Sequence, residues 1–181
     1  EPDLGTVITI VIMVGAMLLI SGTRLPTLAS AYGIVLTLGA IAAWSSPYRR
    51  ARLLIFLDPW KDPSNNGLQN VQALISVGSG GIFGRGLGQG IEKIHYLPEA
   101  HTDMIFAVIG EELGLVGAAI LCLGYCVFAY AGLRIAIACK DPFGKRLAAG
   151  VTALICGQAA VNIAAVLGLA PLTGIPLPFV S

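Results

Sequence analysis

The amino-acid sequence predicts an all-α polytopic membrane protein with about four transmembrane helices and one long, partly helical loop. Three observations carry this expectation. Only 12% of the residues are charged, against about 25% in a typical soluble domain. The mean hydropathy is +0.82. The missing charge is also concentrated, leaving residues 4–23, 25–48, 113–133 and 147–169 without a single ionisable Asp, Glu, Lys or Arg. About 20 apolar residues cross the hydrocarbon core as a helix. Buried helices of a large soluble protein would keep polar faces at helical spacing, and none of these runs sustains one.

Taken in order, the first helix is expected over about 4–21 and ends at the turn Gly22-Thr23-Arg24-Leu25-Pro26. The second covers about 27–46 and closes near Trp44 and Tyr48, aromatic residues that favour the membrane interface. A large loop, about 47–102, separates it from the third helix, about 103–138, which Thr102 can cap. A polar connector at 139–146, a fourth helix at 147–169 and a Pro/Gly-rich tail at 170–181 complete a single membrane domain.

The formal net charge is +1 without a basic stripe, so no nucleic-acid partner is expected. Glu1-Pro2-Asp3 lacks the basic start of a signal peptide. With no initiating Met and a stop after Pro178-Phe179-Val180-Ser181, the chain is expected to be a fragment of a longer protein. Cys122 and Cys126 lie one helical turn apart, but no His or acid joins them. With Cys139 and Cys156 they read as small apolar packing residues. Arg24, Arg134, Lys140, Lys145 and Arg146 fall on one side of the predicted topology, which favours the cytoplasm there, whereas Arg49, Arg50 and Arg52 follow the second helix on the other. Long loops obey this rule weakly, so the large loop is expected to face outward.

An unstructured loop longer than about 12–15 residues is uncommon unless it is functional or disordered, and this one is rich in Ile, Leu, Phe, Trp and Tyr. Residues 58–67 read as successive turns. Leu68 to Val77 then looks amphipathic, with Leu68, Val71, Leu74 and Ile75 on one face and Gln69, Asn70, Gln72 and Ser76 on the other. It is too short to span and reads as an interfacial or re-entrant helix. The following GSGGIFGRGLGQG, residues 78–90, holds no nucleotide-loop register. Tight turning is its main expected role, with backbone amides and Arg85 as a second possibility for meeting a lipid diphosphate.

YLPEAHTDMIF, residues 96–106, gathers Glu99, His101 and Asp103 at the threshold of an apolar helix. A solvated loop carboxylate, an interfacial hydrogen-bonder and a first-turn acid favoured by the helix dipole are the bland readings. An ionisable residue at membrane depth is otherwise a functional signal, and Glu111 and Glu112 follow in the same run. On an ideal helix they lie about 80° and 180° around from Asp103, so one of them could share its cavity.

YLPEAHTDMIFAVIGEELGLVG, the opening EPDLGT, the loop's DPWKDP and IxxGSGGIFGRGLGQG, and the closing PLTGIPLPFVS resemble the SEDS (shape, elongation, division and sporulation) family across all 181 residues. The wording LPEAHTD resembles the division and sporulation members more than the elongation members. The resemblance implies the later half of a bacterial peptidoglycan glycosyltransferase that polymerises lipid II during division or septum synthesis, in the cytoplasmic (inner) membrane. It also implies a cognate class B penicillin-binding protein, other divisome proteins and membrane lipids as partners, and an essential aspartate at Asp103.

That chemistry asks for a base to take the proton of the acceptor hydroxyl in an inverting displacement, and Asp103 is the expected base. Cations offset developing diphosphate charge; Arg52, Arg85 and Lys93 are the loop candidates, and a divalent cation such as Mg held partly by Asp103 is the alternative. Glu99 and His101 would orient or tune the base, and Gln72 would line the groove. Two other functions fit the same features, a lipid II flippase or transporter and a non-catalytic divisome scaffold. The long loop ending in Asp103 argues against the scaffold, which has no need of it.

Overall fold

The computed structural model describes residues 4–45, 67–89 and 103–181, together with Phe56 and Trp60. Among the described residues there is no strand, and the helices are α1 (Leu4–Ile20), α2 (Leu25–Ser45), α3 (Leu68–Ser79), α4 (Ile105–Ala138) and α5 (Pro142–Val166). The all-α class expected from the charge-free runs is the class observed. α4 and α5, with 34 and 25 residues and mean hydropathy 2.1 and 1.7, are long and apolar enough to cross a membrane. α1 and α2 supply the shorter apolar stretches Gly5–Ile20 and Leu25–Ile41.

Helix starts differ from the sequence expectation for local reasons. α2 begins at Leu25, which puts Pro26 in the first turn, where a missing N–H costs little. α5 begins at Pro142 and not at 147, because Asp141 caps it: its carboxylate Oδ2 accepts from Gly144 N at 2.7 Å. The polar connector is therefore shorter, and Lys145 and Arg146 are helical. Thr102 lies outside the described residues; the N-cap of α4 is Met104, which makes no side-chain cap.

α5 is the centre of the assembly, packed by α1 on one side and α4 on the other. Lipid tails are as apolar as Leu, so membrane helices gain from close backbone approach at small residues and not from hydrophobic exclusion. α5 follows that rule: a Cβ on Gly150 would lie 2.9 Å from Met17 Sδ, and one on Gly157 would lie 3.0 Å from Ile12 Cγ2. On the α4 side, a Cβ on Gly132 would lie 2.1 Å from Thr152 Oγ1. α2 touches mainly α1, with Tyr32 Oη donating to Val11 O at 2.8 Å, and leaves Leu25, Ile34, Leu36 and Ile41 exposed as lipid-facing residues would be.

The contacts also set the direction of the elements. Gly5 lies against Ile175 and Met17 against Gly150, so α1 runs antiparallel to α5. The turn after α1 and the link between α4 and α5 therefore share one end of the molecule. α3, the start of α4, the end of α5 and the tail share the other. The best-packed core is at that second end, where Ala73, Met104, Phe106, Ala107, Ala159 and Leu177 meet.

Candidate functional site

Asp103 stands in a half-buried turn immediately before α4. Its main-chain carbonyl accepts a 2.7 Å hydrogen bond from Asn162 Nδ2 on α5, and the same nitrogen donates at 2.7 Å to the carbonyl of Ile175 in the tail. Asn162 is only 2% exposed. The neighbouring Gly174 has a φ of +68°, and a Cβ there would lie 4.0 Å from Asp103 Oδ2, so the carboxylate stands beside the tail.

The tail packs on the helices through alternate residues. Ile175 and Leu177 are buried, Gln158 Nε2 donates to Pro176 O at 2.9 Å, and Tyr125 Oη donates to Pro178 O. Phe179 meets Phe128 edge to face, with ring centroids 5.8 Å apart. Non-helical backbone at membrane depth is tolerated where protein buries and satisfies it. Here side-chain amides and a phenol from α4 and α5 supply the donors. The sequence reading named none of these three residues. The available signal was a single Gln and a single Asn on an apolar helix, which cost free energy unless they are bonded.

The glycine-rich segment packs its backbone against α4. α4 is broken at Gly114, whose φ of +66° and ψ of −162° are not helical. At such a break, the carbonyls of Glu111 and Glu112 lose the amides of Leu115 and Val116, their ordinary i→i−4 partners. Residues 80–86 fill the gap. Arg85 N and Gly86 N donate to Glu111 O and Glu112 O at 3.0 Å each, while Leu115 N and Val116 N donate to Gly81 O and Ile82 O at 2.9 and 3.2 Å. Two lost helical bonds are thus replaced by four between segments. The fit needs bare backbone, since a Cβ on Gly84 would lie 2.2 Å from Glu112 O. The amides of Arg85 and Gly86 therefore point at α4.

Two acidic side chains beside this clasp are buried. Glu111 is fully buried and Glu112 is 8% exposed. Arg85, itself 42% exposed, reaches Glu111 Oε1 with Nη1 at 3.7 Å. The ideal-helix angles from Asp103 to these glutamates do not apply, because Asp103 precedes the helix. On α3 burial does not follow the two faces: Asn70, Val71 and Ser76 are buried, whereas Ile75 is 46% exposed. Gln72 is half-buried there, and its Oε1 meets no hydrogen-bond partner among the described residues.

Of the residues singled out in the sequence, Gln72, Arg85 and Asp103 are therefore described, on α3, on the clasp and before α4. Arg52, Lys93, Glu99 and His101 lie outside the described residues. Among the described residues no group of three or more His, Cys, Asp or Glu could hold a metal ion. All four cysteines are free thiols.

The whole chain, residues 1–181, matches the family model FTSW_RODA_SPOVE, described as cell cycle protein. It is 41% identical over 181 residues to a "Probable peptidoglycan glycosyltransferase FtsW" of Geobacter metallireducens, covering 100% of this chain and 48% of that protein. It is 46% identical over 181 residues to the protein of the same name in Mycobacterium tuberculosis, covering 100% and 34%. "Stage V sporulation protein E" of Bacillus subtilis is 41% identical over 186 residues, with 100% and 50% covered. A solved structure titled "Structural coordination of polymerization and crosslinking by a peptidoglycan synthase complex" superposes with a TM-score of 0.76 at 28% identity, covering 100% of this chain and 50% of that one. The chain spans about half the length of the Geobacter and Bacillus relatives. With a family match from end to end and helices of membrane-crossing length, this all-α membrane protein belongs to the FtsW/RodA/SpoVE family of cell cycle proteins.

Proposed function

We propose that this chain forms the later half of a peptidoglycan glycosyltransferase that polymerises lipid II into glycan strands in division or septum synthesis, with Asp103 as general base. The observation that supports this most is the setting of Asp103. It is a carboxylate at the opening of α4, beside the non-helical tail and at the other end of the bundle from the link between α4 and α5. In this reading the large loop faces outward from the bacterial inner membrane at the septum.

The donor is a disaccharide-peptide joined through diphosphate to a polyprenol. The acceptor sugar hydroxyl attacks the anomeric carbon with inversion, its proton passes to the Asp103 carboxylate, and the polyprenyl diphosphate leaves. General-base catalysis of this kind contributes about 10²–10⁴-fold. Arg85 is exposed enough to face a diphosphate, with Arg52 and Lys93 as further loop cations. Glu99 and His101 serve as tuning groups and Gln72 as a groove residue. The alternative to these cations is a divalent ion such as Mg2+, which Asp103 would hold in part and which would supply positive charge to offset the diphosphate. A class B penicillin-binding protein is the proposed partner, which accords with the synthase complex named for the structural relative.

The test is polymer formation from lipid II by the full-length protein with its partner. Asp103→Asn should lower the rate about a hundredfold or more while leaving assembly intact. An unchanged rate would remove Asp103 as the base. The break at Gly114 favours a second reading, because transporters bind substrate at broken helices. A lipid II flippase would move labelled lipid II across vesicles without making polymer.

A further inference from the structure

We propose that Asn162 is a positioning residue for the glycosyl transfer, acting through Asp103. One side-chain amide ties the peptide carbonyl of Asp103 to that of Ile175 and so sets where the Asp103 carboxylate stands against the tail. The inference rests on Asp103 being the base.

The geometry is specific. A side-chain amide nitrogen has two hydrogens, and each is spent on a main-chain carbonyl at 2.7 Å, the short end of the N–H···O range. Both partners are acceptors, so only the nitrogen of Asn162 can face them, and the orientation of the amide follows from the chemistry. The bonded residues lie 59 and 13 positions from Asn162, so three separate segments converge on one side chain.

Asp103 precedes the N-cap Met104 and therefore lies outside the helical ladder that would otherwise define its backbone. The bond from α5 supplies that definition. Ile175 follows Gly174, the residue beside Asp103 Oδ2, so the same clamp places the wall against which the carboxylate stands. A packing residue at this buried position of an apolar helix needs no amide. The two donor bonds offset part of the desolvation cost of this side chain, whose Oδ1 is buried with no hydrogen-bond partner among the described residues.

The test uses the full-length protein with its partner and lipid II. Asn162→Leu keeps the size and removes both donors. It should lower kcat about a hundredfold, the cost of displacing a catalytic group by about 1 Å, with KM for lipid II changed less than about threefold. In the Asp103→Asn background the same substitution should cause no further loss of the residual rate, because a residue acting through the base has nothing left to position. Thr152→Val, which removes a buried hydroxyl from α5, is the control for general loosening and should leave kcat unchanged.

A normal kcat in Asn162→Leu, alongside an inactive Asp103→Asn, overturns the inference and leaves the base intact. Additive losses in the double variant also overturn it. An active Asp103→Asn instead removes the base reading itself. If Asn162→Leu fails to assemble, Asn162→Gln, which keeps the amide, is measured in the same way. Failure of both to assemble makes Asn162 a determinant of the fold and overturns the positioning role.

Discussion

Glu111 and Glu112 are costly residues for an apolar helix, and Gly114 explains how the protein accommodates them. The two glutamates precede a break, in the part of α4 that packs on α3 and the glycine-rich clasp, and Arg85 approaches Glu111 at 3.7 Å. Gly114 has no substitute there. Its φ and ψ fall in a region that is essentially restricted to glycine, and a Cβ would lie 2.3 Å from Gly84 N. Gly114→Ala is expected to destabilise the fold by about 3 kcal/mol, seen as earlier thermal inactivation of the detergent-solubilised protein. Gly124→Ala, on the same helix and with nothing within 4 Å of a built Cβ, is expected to be neutral or slightly stabilising. Equal melting of the two variants would refute the clasp as a determinant of stability. Sequence reading found the polar residues and the glycines separately. Their pairing was hidden because backbone bonds between Arg85 and Glu111 leave no trace in either local pattern.

A single helix was expected over 103–138, and α4 is two different objects. Before Gly114 most side chains are buried, Phe106, Ala107, Val108 and Gly110 among them. After it Leu115, Ile120, Leu123 and Val127 are exposed. The second part, at 1.5 Å per residue, is about 36 Å long and matches a ~30 Å hydrocarbon core by itself. Hydropathy could not separate the parts, since packed and lipid-facing residues are equally apolar. α5 shows the opposite case, where a short-range signal was present in Asp141-Pro142 and decided the start of the helix. Asp141→Ala should cost about 1 kcal/mol, measured as a lower melting temperature. An unchanged melt would mean that the cap bond to Gly144 contributes nothing in the assembled protein.

The bundle has two chemically different ends. Arg24, Arg134, Lys140, Lys145 and Arg146 accompany the turn after α1 and the link between α4 and α5, whereas Asp103, α3 and the tail occupy the other end. The positive-inside rule favours the basic end as the cytoplasmic one, against the opposing Arg49, Arg50 and Arg52 of the large loop. In a variant with its four cysteines replaced by Ala, Gln89→Cys should react with an impermeant maleimide added to intact cells. Lys140→Cys should react only after permeabilisation. The reverse pattern would overturn the outward-facing loop.

Charge-free runs and turn residues sufficed for the all-α membrane class, because hydrocarbon leaves a spanning backbone few ways to satisfy its own hydrogen bonds and the helix is one of them. The family resemblance of the motif around Asp103 made that residue the expected base. The partners of Asp103 were not legible. A soluble helix reveals its packed side by amphipathic periodicity, but here both sides of α4 and α5 are apolar, and nothing in the pattern says which one meets protein. Asn162 reaching Asp103 across 59 residues, the tail folding back onto the helices and the clasp closing the break at Gly114 all arise from packing. They exist because each main-chain group taken out of a helix inside this molecule has to find a donor or acceptor elsewhere in the chain.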